Sequence, residues 1–194
     1  RVPIVVRQPI GMWRSSAAQH SQSLEAWYAH IPGLVVATPA TPADNRAMLK
    51  AAIRCVDPVV YMEHKDLWPL EGEVPEEEEV AEFTCRKAAE ALHAEGIDVE
   101  LIDLRTIWPW DRDCVFDSVR RTGRLLVVHE AVAVGGFGGE IAASVGEHCF
   151  QALKGPIRRL GAPRVPVSYA PVLENRVRVT AEAVATAVRE MLAS

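Results

Sequence analysis

No two of the four cysteines in this 194-residue chain stand close together: Cys55, Cys85, Cys114 and Cys149 are isolated. Their spacing excludes the paired motifs of zinc sites and dithiol redox centres. They read as reduced thiols in a reducing compartment, which suits an intracellular enzyme. Basic excess is missing too. Lys and Arg number 21 against 26 Asp and Glu, the formal net charge is −5, and no Lys/Arg cluster stands out. The chain therefore has no electrostatic footprint for nucleic acid or an anionic membrane, and neither is expected as a partner. No apolar run approaches the roughly 20 residues a spanning helix needs, so a soluble protein is expected. Internal repeats and low-complexity segments are also lacking.

What is present is apolar content of 49%, enough for a sizeable core in one large or two small domains. Hydrophobic runs alternate with helical periods, which predicts α/β architecture with mostly parallel strands covered by helices. Val2 to Val6, Leu34 to Thr38 and Val59 to Met62 are strand-like. Thr41 as N-cap with Pro42 at the first helical position opens a helix between the last two. Residues 66–79, with Pro69, Pro75 and the run Glu76-Glu77-Glu78-Glu79, read as an exposed acidic linker. Beyond it the pattern predicts a helix from about Val80 to Glu95, a strand over Asp98 to Asp103, and a helix from about Asp111 to Arg121 stopped by Gly123. Strand Leu125 to His129, helix Gly139 to Phe150, strand Ile157 to Leu160 and helix Thr180 to Leu192 follow.

The segment Gln19-His20-Ser21-Gln22-Ser23-Leu24-Glu25-Ala26-Trp27-Tyr28 puts a histidine in a polar loop before a short helix, which Ser21 or Ser23 can cap. Pro32-Gly33 ends that helix. Four other features compete for attention. His30 faces the C-terminal end of the same helix, and His64 ends a strand where packing is the better role. His129 and Glu130 follow a buried strand at the carboxyl end, where α/β sheets place ligands, yet read as structural or interface residues. Gly135-Gly136-Phe137-Gly138-Gly139 precedes a helix but has neither the Gly-x-Gly-x-x-Gly nor the Walker spacing. Close passage of backbone at a subunit interface explains it better than phosphate binding.

Read as an ordered set, Val2-Pro3-Ile4-Val5-Val6-Arg7, His20-Ser21-Gln22-Ser23, Pro32-Gly33-Leu34, Thr41-Pro42-Ala43-Asp44, Asp57-Pro58-Val59-Val60 and Glu63-His64-Lys65 resemble the β-subunit of the thiamine-diphosphate-dependent 2-oxo-acid dehydrogenases. This is the first component of the pyruvate, branched-chain and acetoin dehydrogenase complexes. Gly96-Ile97-Asp98-Val99-Glu100-Leu101-Ile102-Asp103-Leu104-Arg105-Thr106, Val128-His129-Glu130 and the glycine loop resemble the same subunit's C-terminal domain. The resemblance implies residues 1–65 as the second half of a pyrimidine-binding domain of the transketolase type, 66–79 as linker, and 80–194 as a transketolase C-terminal domain. That last domain looks short of its first strand, near Glu79 and Val80.

The implied chemistry is oxidative decarboxylation of a 2-oxo acid and acyl transfer to a lipoyl group. His20 matches the family's active-site histidine, exchanging protons during acyl transfer, with Gln19, Ser21 and Gln22 orienting it. Thiamine diphosphate and magnesium are implied as shared with an α-subunit, whose Gly-Asp-Gly motif has no counterpart here. The glutamate that acts on the aminopyrimidine is expected upstream of Val2, so these 194 residues are expected to be inactive alone. A structural potassium ion is implied at Ala52, Ile53 and Asp57, although Cys55 stands where an aspartate is common and a thiol suits a hard cation poorly. The implied partners are the α-subunit, a second β-subunit, with the helices around Trp27 and the glycine loop in subunit contacts, and a dihydrolipoyl acyltransferase core. The compartment is the bacterial cytoplasm or the mitochondrial matrix, with the cytoplasm favoured. Two other readings stand beside this one: another thiamine-diphosphate enzyme, such as a transketolase or deoxyxylulose-phosphate synthase, and a non-catalytic docking scaffold.

Overall fold

The structure is a computed structural model that describes residues 1–72, 74 and 84–193. In chain order the elements are β1 (Val5–Ile10), α1 (Ala17–His20), α2 (Glu25–Ala29), β2 (Val35–Ala37), α3 (Pro42–Arg54), β3 (Val59–His64), α4 (Thr84–Ala94) and β4 (Thr106–Trp108). They continue with α5 (Arg112–Thr122), β5 (Leu126–Val132), α6 (Gly138–Cys149), β6 (Arg158–Ala162), α7 (Pro171–Val177) and α8 (Ala181–Ala193). Two units contain them. The first holds Arg1–Ala81, Leu104–Trp110 and Val165–Arg176; the second holds Glu82–Asp103, Asp111–Arg164 and Val177–Ser194. The acidic run Glu76 to Glu79, its junction with Val80 and the expected start of the following helix lie outside the described residues.

In the first unit β3 lies between neighbours in the order β1-β3-β2-β4. β1 and β2 both run parallel to β3, pairing Val5 and Val35 with Val59, and β4 runs antiparallel to β2. Alternate side chains of a strand point to opposite faces, so a strand covered on both sides must be apolar without interruption. Val59, Val60, Tyr61 and Met62 are accordingly all buried. Val60 and Met62 join Ile10 and Val36 beneath Tyr28 and Ala29. Val59 and Tyr61 join Ala37 and Ala52 on the other side, against Met48 and Leu49 of α3. Each such side chain contributes about 1.5–3 kcal/mol by leaving water. The Tyr61 hydroxyl donates to Asn45 O and Oδ1 at 3.0 and 2.9 Å, and burial, then the Glu63 charge, pushes its pKa up. α3 begins as its sequence predicts: Thr41 Oγ1 accepts from the Asp44 N–H at 2.8 Å, and Pro42 takes the first turn.

In the second unit β5 and β6 pair in parallel, with Leu126 opposite Arg158. Ala88 and Leu92 of α4 pack on Val184 and Ala185 of α8, with Leu126, Val128 and Leu160 against them. α5 starts at Asp111, whose carboxylate accepts from the Cys114 N–H at 3.0 Å, and ends at Gly123 with φ 75°.

The strand expected over Asp98 to Asp103 does not form. A strand needs a hydrogen-bonding neighbour, and among the described residues this unit's sheet has β5 and β6 alone. The segment is tied instead by its polar side chains: Glu100 accepts from Ser118 Oγ and Arg121, each at 2.7 Å, while Val99 and Leu101 stay exposed.

His129 of β5 has its Nδ1 2.9 Å from Ala131 O, and its Nε2 is buried without a hydrogen-bond partner. Burial holds this imidazole below its ordinary pKa; the hydrogen bond to Ala131 opposes that shift and the Arg159 charge adds to it. The folded protein therefore binds this proton less readily than the unfolded chain, where histidine titrates near about 6.5. Its neutral form leaves stability intact above that pH, and stability is lost as pH falls toward the depressed folded value. The melting temperature of His129→Gln should consequently fall less than that of the wild type on acidification from about pH 7 to about pH 5. Parallel pH profiles would contradict the assignment.

Candidate active site

β1 and β3 end side by side, with Ile10 opposite His64. The carboxyl end of parallel strands is where open α/β sheets place ligands. Gly11 follows at φ 88°, and a Cβ there would overlap the His64 imidazole, so only glycine lets the ring lie against this backbone. The chain then turns through Trp13 to Ala17 into α1. Arg14, Ser15 and Ala17 hold φ of 45°, 57° and 60°. Left-handed backbone costs about 1–3 kcal/mol for each non-glycine residue and gathers where surrounding structure enforces it.

Several contacts enforce it here. Ser16 Oγ donates to Trp13 O at 2.5 Å, and the Ser15 N–H donates to Glu174 Oε2 at 2.7 Å. The Trp13 ring meets Trp68 edge-on at 6.0 Å between centroids, with the Arg14 guanidinium 5.0 Å over it. At the far end Lys65, buried, donates from Nζ to His20 O, and the Gly11 N–H donates to Gln22 O at 3.3 Å. The far end of the histidine segment is thus bonded to the rim formed by β1 and β3, and the near end to Glu174 of α7.

His20 does not sit in a loop, as its sequence suggested. It closes the four-residue helix α1, with its side chain exposed. Nor do Ser21 and Ser23 cap α2: Leu24 occupies that position, without a side-chain cap. α1 and α2 follow each other so closely that Ser21 becomes the C-cap of the first. Its hydroxyl is buried without a hydrogen-bond partner, and Gln19 and Gln22 are exposed. Among the described residues no hydrogen bond joins the side chains of Gln19, Ser21 or Gln22 to the imidazole; Gln22 acts through its main chain.

Ala52, Ile53 and Asp57 lie at the other end of the sheet, between the last turn of α3 and the start of β3. Ala52 O accepts from the Cys55 N–H at 3.1 Å, and Asp57 is exposed. Among the described residues no group of three or more His, Cys, Asp or Glu could hold a metal ion. Nothing in the sequence marks Glu174, which lies 159 positions from the residue it binds. Lys65 was read only as part of Glu63-His64-Lys65. A carboxylate and an ammonium buried to 3% and 7% exposure are rare enough to single both out once the fold is known.

Comparison with known proteins places these observations in context. Residues 1–71 match the transketolase pyrimidine-binding domain, and residues 82–184 match the transketolase C-terminal domain. The chain is 39% identical to the acetoin:2,6-dichlorophenolindophenol oxidoreductase subunit beta of Cupriavidus necator, covering 98% of this chain and 63% of that protein. It is 38% identical to the 2-oxoisovalerate dehydrogenase subunit beta of Bacillus subtilis, over 97% of this chain and 65% of the relative. Identity to the mitochondrial pyruvate dehydrogenase E1 component subunit beta of Dictyostelium discoideum is 36%, over 97% and 60%. The chain thus spans less than two thirds of the length of these relatives. A solved structure described as a split gene transketolase, inactive beta4 tetramer, superposes with a TM-score of 0.75 at 23% identity, covering 97% of this chain and 65% of that one, and supports the fold.

Proposed function

This chain belongs to the transketolase family, carrying its pyrimidine-binding and C-terminal domains in that order, and we propose that it is part of the β-subunit of a thiamine-diphosphate-dependent 2-oxo-acid dehydrogenase. The observation that carries the reading is the position of His20: an exposed imidazole on a tethered turn at the carboxyl ends of β1 and β3. The relatives support it, being beta subunits of an acetoin oxidoreductase, a 2-oxoisovalerate dehydrogenase and a pyruvate dehydrogenase.

Thiamine diphosphate, when bound, supplies the electron sink for losing carbon dioxide from the 2-oxo acid. This chain fits one edge of that cofactor, since the buried Ser21 hydroxyl beside His20 lacks a partner. Such a group is costly unless something outside the chain satisfies it. His20 holds and returns a proton at its imidazole while the acyl group passes to a lipoyl acceptor. An imidazole suits that work because it ordinarily titrates near physiological pH. Gln19, Ser21 and Gln22 flank His20 in the chain and supply its polar surroundings, and Gln22 anchors the segment through its main-chain oxygen.

The finer parts of the proposal follow the same line. An α-subunit holds the diphosphate with magnesium, a second β-subunit completes a heterotetramer, and an acyltransferase core receives the assembly. The cytoplasm is the proposed compartment. A structural potassium ion would take the main-chain oxygens of Ala52 and Ile53 and the Asp57 carboxylate. Ala52 O keeps a second lone pair beyond its bond to Cys55.

The test is reconstitution. The complete β-subunit gene, co-expressed with its α-subunit, should yield an assembly that decarboxylates pyruvate or a branched-chain 2-oxo acid with an artificial electron acceptor and, in a separate assay without that acceptor, reductively acylates a lipoyl domain. A folded assembly that binds the cofactor but does neither would displace the reading.

A further inference from the structure

We propose that Glu174 is a positioning residue for His20, and that it forms with Lys65 a two-ended clamp on the turn that presents the imidazole. The inference rests on the assignment of His20 just made. Three observations converge on it. First, the turn between β1 and α1 is built from left-handed backbone at Arg14, Ser15 and Ala17, none of them glycine. A free segment of that composition would relax to right-handed or extended backbone. Second, the tether at its centre is a buried carboxylate. Glu174 is 3% exposed and accepts from the Ser15 N–H at 2.7 Å, a charge-assisted bond to one of the strained residues themselves. Third, Lys65 is 7% exposed and bonds the main-chain oxygen of His20, the last residue of the same turn.

Neither charged group hydrogen-bonds the imidazole. Both hold the backbone that carries it, one from the first turn of α7 and one from the turn after β3. Glu174 is the more informative of the two. It lies in Val165–Arg176, a segment late in the chain that is grouped with the first unit, and its bond to Ser15 spans 159 positions. A local turn needs no distant carboxylate to close it. What the distant carboxylate adds is a fixed origin for the five residues from Ser16 to His20, so that an exposed side chain keeps one location relative to β1 and β3. Reacting groups displaced by an ångström lose on the order of a hundredfold in rate, which gives such fixing its value.

The experiment uses the assembled enzyme with the complete β-subunit and its α partner. Glu174→Ala should lower the kcat of acyl transfer to a lipoyl substrate by about tenfold to a hundredfold, with cofactor affinity by calorimetry unchanged. Glu174→Gln, which keeps an oxygen to accept from Ser15, should recover most of the rate. In the His20→Ala background Glu174→Ala should cost nothing further, because a positioning residue has nothing left to position. Should Glu174→Ala fail to assemble, Glu174→Asp, which keeps the charge but withdraws the oxygen, serves in the same comparison. Wild-type turnover in Glu174→Ala, or losses that multiply with those of His20→Ala, would overturn the clamp while leaving the functional proposal standing. Wild-type acyl transfer in His20→Ala alone would remove the assignment of His20 to proton transfer and the clamp with it.

Discussion

Under the proposed function, His20→Ala in the reconstituted assembly should lower acyl transfer to a lipoyl substrate by about a hundredfold to ten-thousandfold, the usual loss for one acid/base group. That corresponds to about 2.7–5.4 kcal/mol of barrier. The same change should leave the melting temperature and cofactor affinity close to wild type. The imidazole is exposed and packs into no core, and the bond from Lys65 goes to the main-chain oxygen, which alanine keeps. Exposed substitutions of this kind usually fall within about 0.5 kcal/mol of neutral. A large rate effect without a stability effect therefore separates chemistry from architecture. Stopped-flow acylation of a lipoyl domain, with calorimetric titration of the cofactor, measures both. Turnover at the wild-type rate would take His20 out of the mechanism.

Where the sequence was legible, a local cause was sufficient. Val59 to Met62 reads as a strand because an uninterrupted apolar run suits a strand covered on both faces, and β3 is that strand. Thr41 and Pro42 open α3, and Asp111 and Gly123 bracket α5, because capping chemistry acts within a single turn. The misreadings share a different cause. Asp98 to Asp103 has the composition of a strand, but strand formation depends on a neighbour that the segment does not have among the described residues. The four-residue α1 is too short for periodicity to mark, and its entry passes through left-handed backbone at Arg14, Ser15 and Ala17, residue types that seldom adopt it. β4 and α7 join the first unit from far along the chain, and nothing in Thr106–Trp108 or Pro171–Val177 announces the distant sheet or turn they serve. His20 could thus be nominated from its place in an ordered resemblance, whereas Glu174 could not, because its meaning is the bond to Ser15.

The glycine loop after β5 gives the largest stability effect expected of a single methyl group. The sequence points to close passage of backbone at a subunit interface; within this chain the loop passes close to His129. A Cβ at Gly136 would overlap Val132 O and sit 2.8 Å from His129 Cε1. One at Gly138 would lie 2.8 Å from Nε2 and 3.1 Å from Val127 Cγ1, and one at Gly161 would lie 2.8 Å from Ala131 O. Three glycines therefore leave the space that the half-buried ring fills. Gly136→Ala should destabilise the protein by about 1–3 kcal/mol, the ordinary cost of overpacking. At about 2–4 °C per kcal/mol for a chain of this size, the melting temperature should drop by several degrees. The obstacle also predicts which second change helps. At Gly138 the nearest atoms belong to the imidazole, so His129→Ala should restore much of what Gly138→Ala loses. At Gly136 the nearest atom is a main-chain oxygen of β5, which no side-chain truncation moves, so His129→Ala should leave most of the Gly136→Ala defect in place. Thermal melts of the two single and two double variants, each against His129→Ala alone, make the comparison. Equal rescue at both positions would mean that the ring, and not the end of β5, sets the limit on this loop.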